Sequence, residues 1–400
     1  MARKSISNFW LHVCEGVLCL TGISFISFET ILPKIIESLG GSGFLISFAP
    51  ALAILGSALT PLLGANVADR LKYKRNFVGL ICVFQRMPYL LVIPVLWFSK
   101  DNITAAWLIS GTIFIYGLCS GFLSPAWLQL VANTVPERYI PRLFSIRFGI
   151  SSVLGIFVGW LVKIILEWQP NKTGYGLLFL LAGIMMMAGI RFLMKIREPR
   201  VTPKRHYNQI PVTYREVLMN SNIMRFIWMR ACYCGIFVSL AYIPIKIIDE
   251  LKLSNSWLGI FIMMVVIGAI LGNLFTAFWS HRYSWKNGLI IGLVCYLVVF
   301  VLTILCNGIV MALIIFFMLG FAKDVWNSMS SALTISIPGK RLRSRGSAMI
   351  ALLMAPPIIC ASMSGALLYG WFDSYNLLFA VSALLMIPTI YFANELSGIR

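Results

Sequence analysis

Apolar stretches of about 20 residues, enough to cross the hydrocarbon core of a bilayer as helices, recur along this chain. Twelve can be placed, at roughly 9–32, 43–68, 76–98, 105–132, 143–167, 175–195, 222–247, 256–279, 286–306, 308–335, 346–370 and 374–394. The polar segments between them are mostly short, and Lys and Arg gather in alternate ones. With the N-terminus on the cytoplasmic side, the segments 69–75, 133–142, 196–221, 280–285 and 336–345 are cytoplasmic. They carry Arg70, Lys72, Lys74, Arg75, Arg138, Arg142, Arg197, Arg200, Lys204, Arg205, Arg215, Arg282, Lys340, Arg341, Arg343 and Arg345. The opposite segments hold Lys100, Lys172, Lys246 and Lys252, largely balanced by Asp101, Glu167, Asp249 and Glu250. This asymmetry is what the positive-inside rule requires. The first run follows Arg3 and Lys4 but contains His12 and Glu15 and lacks a small-x-small cleavage site. It reads as an uncleaved span, not a signal peptide. The pattern predicts an all-α, multi-pass integral membrane protein with both termini cytoplasmic.

The longest polar segment, 197–220, holds Pro199, Pro203 and Pro211 and lies at the middle of the chain. It divides the chain into residues 1–196, a linker 197–221, and residues 222–400. The two sets of six spans are related. Pro33-Lys34-Ile35-Ile36-Glu37-Ser38-Leu39 reads against Ile245-Lys246-Ile247-Ile248-Asp249-Glu250-Leu251. At the same spacing Asp69-Arg70 falls on His281-Arg282 and Lys74 on Lys286. Pro136 before Arg138 likewise answers Pro338 before Lys340. A repeat of half the chain length implies two copies of one six-helix unit.

The turn between spans 2 and 3 narrows this to a family. Ala68, Asp69, Arg70, Lys74 and Arg75 match the helix 2–3 signature of the major facilitator superfamily, Gly-x-Leu-Ala-Asp-Arg-x-Gly-Arg-Lys/Arg. Ala65 and Lys72 stand where that family has Gly, and Tyr73 where it has Arg. The chain therefore resembles a major facilitator. The resemblance implies twelve transmembrane helices in two pseudo-symmetric halves, with the substrate site at their interface near the bilayer midplane. It also implies a cytoplasmic gate of Asp69, Arg70, Lys74 and Arg75, with Asp69 near the start of span 11 at Gly346-Ser347. Helix 5 would pack on helix 8, where Gly155-x-x-x-Gly159 and Gly268-x-x-x-Gly272 permit close approach.

Charges inside spans are costly and mark functional interiors. The candidates for substrate binding and coupling are Glu15, Arg86, Arg147, Arg230, Lys323 and Asp324. On span 10, Lys323, Asn327, Ser330 and Thr334 keep helical spacing, beside a second stripe of Asp324, Ser328 and Ser331. Such a helix lines a cavity, with Trp326 beside it; on span 4, Ser120, Ser124 and Trp127 share a face. Lys323 is expected to face an anionic or zwitterionic substrate, and Asp324 to balance a base or carry a coupling proton. Glu15 shares a stripe with Cys19, Gly22, Ile26 and Glu29. It serves either proton coupling or a structural pair with Arg86.

Composition excludes other classes. The chain is 59% hydrophobic and 12% charged, about half the charge of a soluble domain. The net charge of +19 belongs to the loops, not to a nucleic-acid interface. The nine Cys read as free buried thiols. No P-loop, metal-ligand cluster, cofactor pattern or catalytic constellation is present, so an enzyme is not expected. Span 5 lacks the Gly-Pro of the drug/proton antiporter signature. The expectation is a monomeric secondary transporter in a bacterial inner membrane. It would move a small anionic or zwitterionic solute by alternating access, with protons or another coupling ion and membrane lipids as its other partners. The alternatives are export of amphipathic or cationic compounds and a non-coupled facilitator-like protein such as a lipid scramblase.

Overall fold

The computed structural model describes residues 2–99, 101–136, 139–199, 219–337 and 349–396, and among these every regular element is helical. Spans 1, 2 and 7 are broken rather than continuous. Span 1 is α1 (Ala2–Ser24), a turn through Phe25–Thr30, and α2 (Ile31–Ser38). Span 2 is α3 (Gly43–Leu59) and α4 (Pro61–Arg70), hinged at Thr60. Span 7 is α9 (Ser221–Tyr233), a 3₁₀ turn Cys234–Val238, and α10 (Tyr242–Glu250). A proline opens each second segment: Pro33 and Pro244 are third residues of α2 and α10, and Pro61 is first in α4. Proline lacks an N–H and belongs in a first turn, where that donor would be unpaired anyway.

The remaining spans run as single helices, except that a turn at Met354 interrupts span 11 just before Ala355. They are α5 (Lys74–Phe98), α6 (Asn102–Thr134), α7 (Ile140–Trp168), α8 (Lys172–Met194), α11 (Trp257–Arg282), α12 (Trp285–Ile304) and α13 (Ile309–Ser336). The last two are α14 (Ala355–Phe372) and α15 (Tyr375–Asn394). Among the described residues, 11 helical segments are long and apolar enough to cross a membrane. The charged α1 with α2 completes twelve.

In the first half α1 packs on α7 and α8, α5 on α6 and α8, and α3 on α6. In the second, α11 and α12 pack on α13, and α15 on α9 and α12. The main crossings between the halves are α3 on α14 and α7 on α11, with smaller contacts of α2 on α10 and of α3 on the Cys234–Val238 turn. The span 5–span 8 contact is thus present, but through only one of the expected glycine pairs. A Cβ on Gly159 would lie 2.6 Å from the Gly259 carbonyl oxygen, and one on Gly155 3.2 Å from Val266. Gly268 and Gly272 instead face α13, where a Cβ would meet the carbonyl oxygens of Phe317 and Phe321 at 1.9 and 2.7 Å. The glycine answering Gly159 is Gly259, one turn into α11.

Polar links hold the halves together at the end away from the basic loops. Lys34 Nζ lies 2.7 Å from Asp249 and 2.6 Å from Glu37. The Tyr242 hydroxyl donates to the Gly43 carbonyl at 3.0 Å and accepts from Ser47 at 2.9 Å. Asn255 donates to the Tyr175 hydroxyl at 3.2 Å.

Candidate functional site

A cavity of about 390 Å³ opens where the breaks of spans 1 and 7 meet α13. Its charged lining is Glu29 from the turn after α1, Arg230 from α9 and Lys323 from α13. Aromatic and apolar groups complete the wall, among them Phe28, Tyr233, Phe237, Tyr296 and Trp326. Matching breaks in corresponding spans of two repeats are where transporters place their binding sites, because unwound backbone is tolerated only against a cavity.

Each charged group has a distinct setting. Glu29 embraces Lys323 Nζ with both oxygens, at 2.6 and 2.8 Å, linking the two halves. Arg230 Nη1 donates to the Thr334 hydroxyl at 3.1 Å, and its guanidinium stands 5.8 Å from the Phe226 ring centre. Trp326 is buried and stacks on Tyr233 at 3.6 Å between centroids, and the Tyr233 and Tyr296 hydroxyls lie 3.2 Å apart. The two polar stripes of span 10 serve different neighbours. Lys323 and Asn327 line the cavity and Thr334 meets Arg230, whereas Asp324 and Ser328 both bond Asn273 on α11, at 3.2 and 3.3 Å. Lys323 and Asp324 therefore have separate partners, as residues about 100° apart on a helix must.

Glu15, Arg86, Arg147 and Trp127 come together elsewhere, inside the first half. Arg86 Nη2 donates to Glu15 at 2.6 Å, and Arg86 Nη1 to the Met186 carbonyl at 2.6 Å. Arg147 approaches the other Glu15 oxygen only to 3.6 Å and stacks 4.9 Å from the centre of the Trp127 ring. Gly16 makes room for it: a Cβ there would lie 1.7 Å from Arg147 Nε. His12 turns away from Glu15 to Thr134, at 2.9 Å. The Thr134 hydroxyl donates to the Leu130 carbonyl, so His12 Nε2 is the donor. Arg86 thus lies in a buried ion pair behind the cavity lining.

At the basic end, the backbone N–H groups of Lys74 and Arg75 donate to Glu198 at 2.7 and 2.9 Å, an acid on the N-terminus of α5. Arg75 Nη1 donates to the Ile196 carbonyl at 3.0 Å, just past α8, while Lys74 Nζ donates to the Leu71 carbonyl at 3.2 Å. The second half repeats the device, with Lys286 Nζ donating to the Asn394 carbonyl at the end of α15. The Asp69 side chain and Gly346-Ser347, proposed partners in the gate, lie outside the described residues, as do Arg138 and residues 338–348.

Sequence reasoning left Glu29, Tyr233, Tyr296 and Asn273 out of the site. Glu29 was visible as the last polar residue on the Glu15 stripe; the helix break then turns it toward Lys323.

The architecture has known counterparts. Residues 16–359 match the Major Facilitator Superfamily. The chain belongs to that family. Its fold matches that of the D-xylose-proton symporter, with a TM-score of 0.76 and 14% identity over 98% of each chain. The nucleoside transporter NupG gives 0.68 and 12% over 99% of this chain and 100% of that one. A POT family transporter in complex with 5-aminolevulinic acid gives 0.67 and 12% over 99% and 97%. No curated protein sequence matches the chain significantly. This major facilitator is thus an integral membrane secondary transporter and not an enzyme.

Proposed function

We propose that the protein moves a small organic anion or zwitterion by alternating access, its two six-helix units (1–196 and 222–400) rocking about a site between them. The observation that carries this reading is the cavity wall, with two bases, one acid and an aromatic face. A net positive cavity concentrates anions. Arg230, Lys323, Trp326 and Asn327 are assigned to substrate. Asp324, bonded to Asn273 beside the site, is assigned to the coupling proton, and the Glu15–Arg86–Arg147 cluster to holding the first unit together. The basic end is taken as cytoplasmic, in a bacterial inner membrane, so the links at Lys34 and Tyr242 close the outward face.

Proteoliposomes test the reading. Uptake of anionic or zwitterionic solutes should respond to an imposed pH gradient, and Arg230→Gln should abolish it. Asp324→Asn should still bind solute but transport it independently of the gradient. The apolar part of the wall, including Ile54, Leu240 and Ile358, also suits an amphipathic compound. Uptake confined to cationic amphiphiles would establish that alternative and refute the anion assignment.

A further inference from the structure

Three formal charges face the cavity, and they do not act alike. Both carboxylate oxygens of Glu29 lie on Lys323 Nζ, so this pair is neutral as a unit. Arg230 has no carboxylate within ion-pairing distance among the described residues; it has the Thr334 hydroxyl and the Phe226 ring. Asp324 follows Lys323 on α13 but bonds Asn273 and is not part of the lining. Glu15, Arg86 and Arg147 are enclosed in the first half, also outside the lining.

We infer that Glu29 is a charge-selectivity residue. By occupying Lys323 it leaves the wall one unpaired positive charge, Arg230, and the site takes singly charged anions over doubly charged ones. The inference rests on the reading that this cavity holds the cargo. A guanidinium offers a fork of donors that fits one carboxylate. The stacked Tyr233–Trp326 pair adds a flat face for an apolar body. A monoanion brings the wall to neutrality. A dianion overshoots, and its second charge is buried with no base to receive it unless Glu29 is first displaced, which leaves an unpaired carboxylate. The position of Glu29 supports the role: the break at Phe25–Thr30 delivers it to Lys323 from the opposite half.

The test uses purified full-length protein and two probes of one skeleton, 3-phenylpropionate and phenylsuccinate, at about pH 7.5, where carboxylates are ionised. Wild type should bind the monoanion more tightly by about tenfold or more, equivalent to ~1.4 kcal/mol. Glu29→Gln frees Lys323, gives the wall two positive charges, and should invert the order. Lys323→Gln leaves Glu29 unpaired and the wall neutral, and should lose both probes. The double variant Glu29→Gln/Lys323→Gln returns the wall to a single positive charge. It should recover the monoanion preference, which a merely structural role for the pair would not produce. A wild type without monoanion preference, or a Glu29→Gln protein with the wild-type ratio, overturns the inference. If Arg230→Gln binds both probes as wild type does, the assignment of the cargo site itself fails.

Discussion

Glu15 answers to two arginines at once, unequally. Arg86 is held by its 2.6 Å bond and by the Met186 carbonyl, whereas Arg147 stands 3.6 Å off against Trp127. Removing one member of a buried ion pair costs about 3–5 kcal/mol, because the remaining charge is stranded. Glu15→Gln strands both arginines and should lower thermal stability in detergent by that amount. Glu15→Leu with Arg86→Met should recover the part of the loss that belongs to Arg86, since an apolar replacement of a buried pair is nearly neutral, while Arg147 stays stranded. Arg147→Gln should cost less than Glu15→Gln, because Arg86 still neutralises the carboxylate; equal losses would refute the uneven arrangement. The cost of charge in a bilayer made Glu15, Arg86, Arg147, Arg230 and Lys323 legible in the sequence, and their grouping was only partly so. Spacing along one helix cannot say that Arg86 reaches α1 rather than the cavity. Nor can it say that a six-residue break rotates Glu29 onto Lys323.

At the level of elements, the breaks were written in the sequence as Pro33, Pro61 and Pro244, the first just past a run apolar enough to read as one span and the other two inside one. Hydropathy hides a break such as Cys234–Val238, whose residues are as apolar as the helices they separate. Glycine spacing was legible as close packing but not as a choice of partner. Gly268 and Gly272 meet α13, and Gly259 alone meets Gly159. A Cβ on Gly259 would lie 2.3 Å from the Gly159 carbonyl oxygen and 2.5 Å from Lys163 N. Backbone cannot yield as a flexible side chain can, so Gly259→Val should separate α7 from α11. Overpacking of this kind costs about 1–3 kcal/mol, and transport should be lost with it. Disulfide trapping between cysteines placed at the crossing reads the separation, and an unchanged trapping rate would contradict the assigned contact. Gly111→Val should be silent by the same measure, because a Cβ there meets nothing within 4 Å.

For the whole molecule, the link from Lys34 to Asp249 is the charged tie across the closed end. Asp249→Asn removes it cleanly, because Lys34 keeps Glu37 at 2.6 Å. A partly exposed pair contributes about 0.5–1 kcal/mol, a two- to fivefold change in the ratio of open to closed forms. With Cys234, a cavity-lining thiol, as the only cysteine, a membrane-impermeant maleimide applied at that end should label the Asp249→Asn protein faster by this factor. An unaltered rate would show that the tie does not hold the closed form. The repeat gives this tie a second meaning. Lys246 occupies the position of Lys34, yet its ammonium is buried in its own half against the carbonyls of Thr303 and Ile304 and the Asn376 side chain. Two copies of the first half set face to face would offer a lysine and an acid from each side; two copies of the second would offer acids only. One half thus carries the clasp and the other the catch, and a protein built from two copies of the second half would lack the tie.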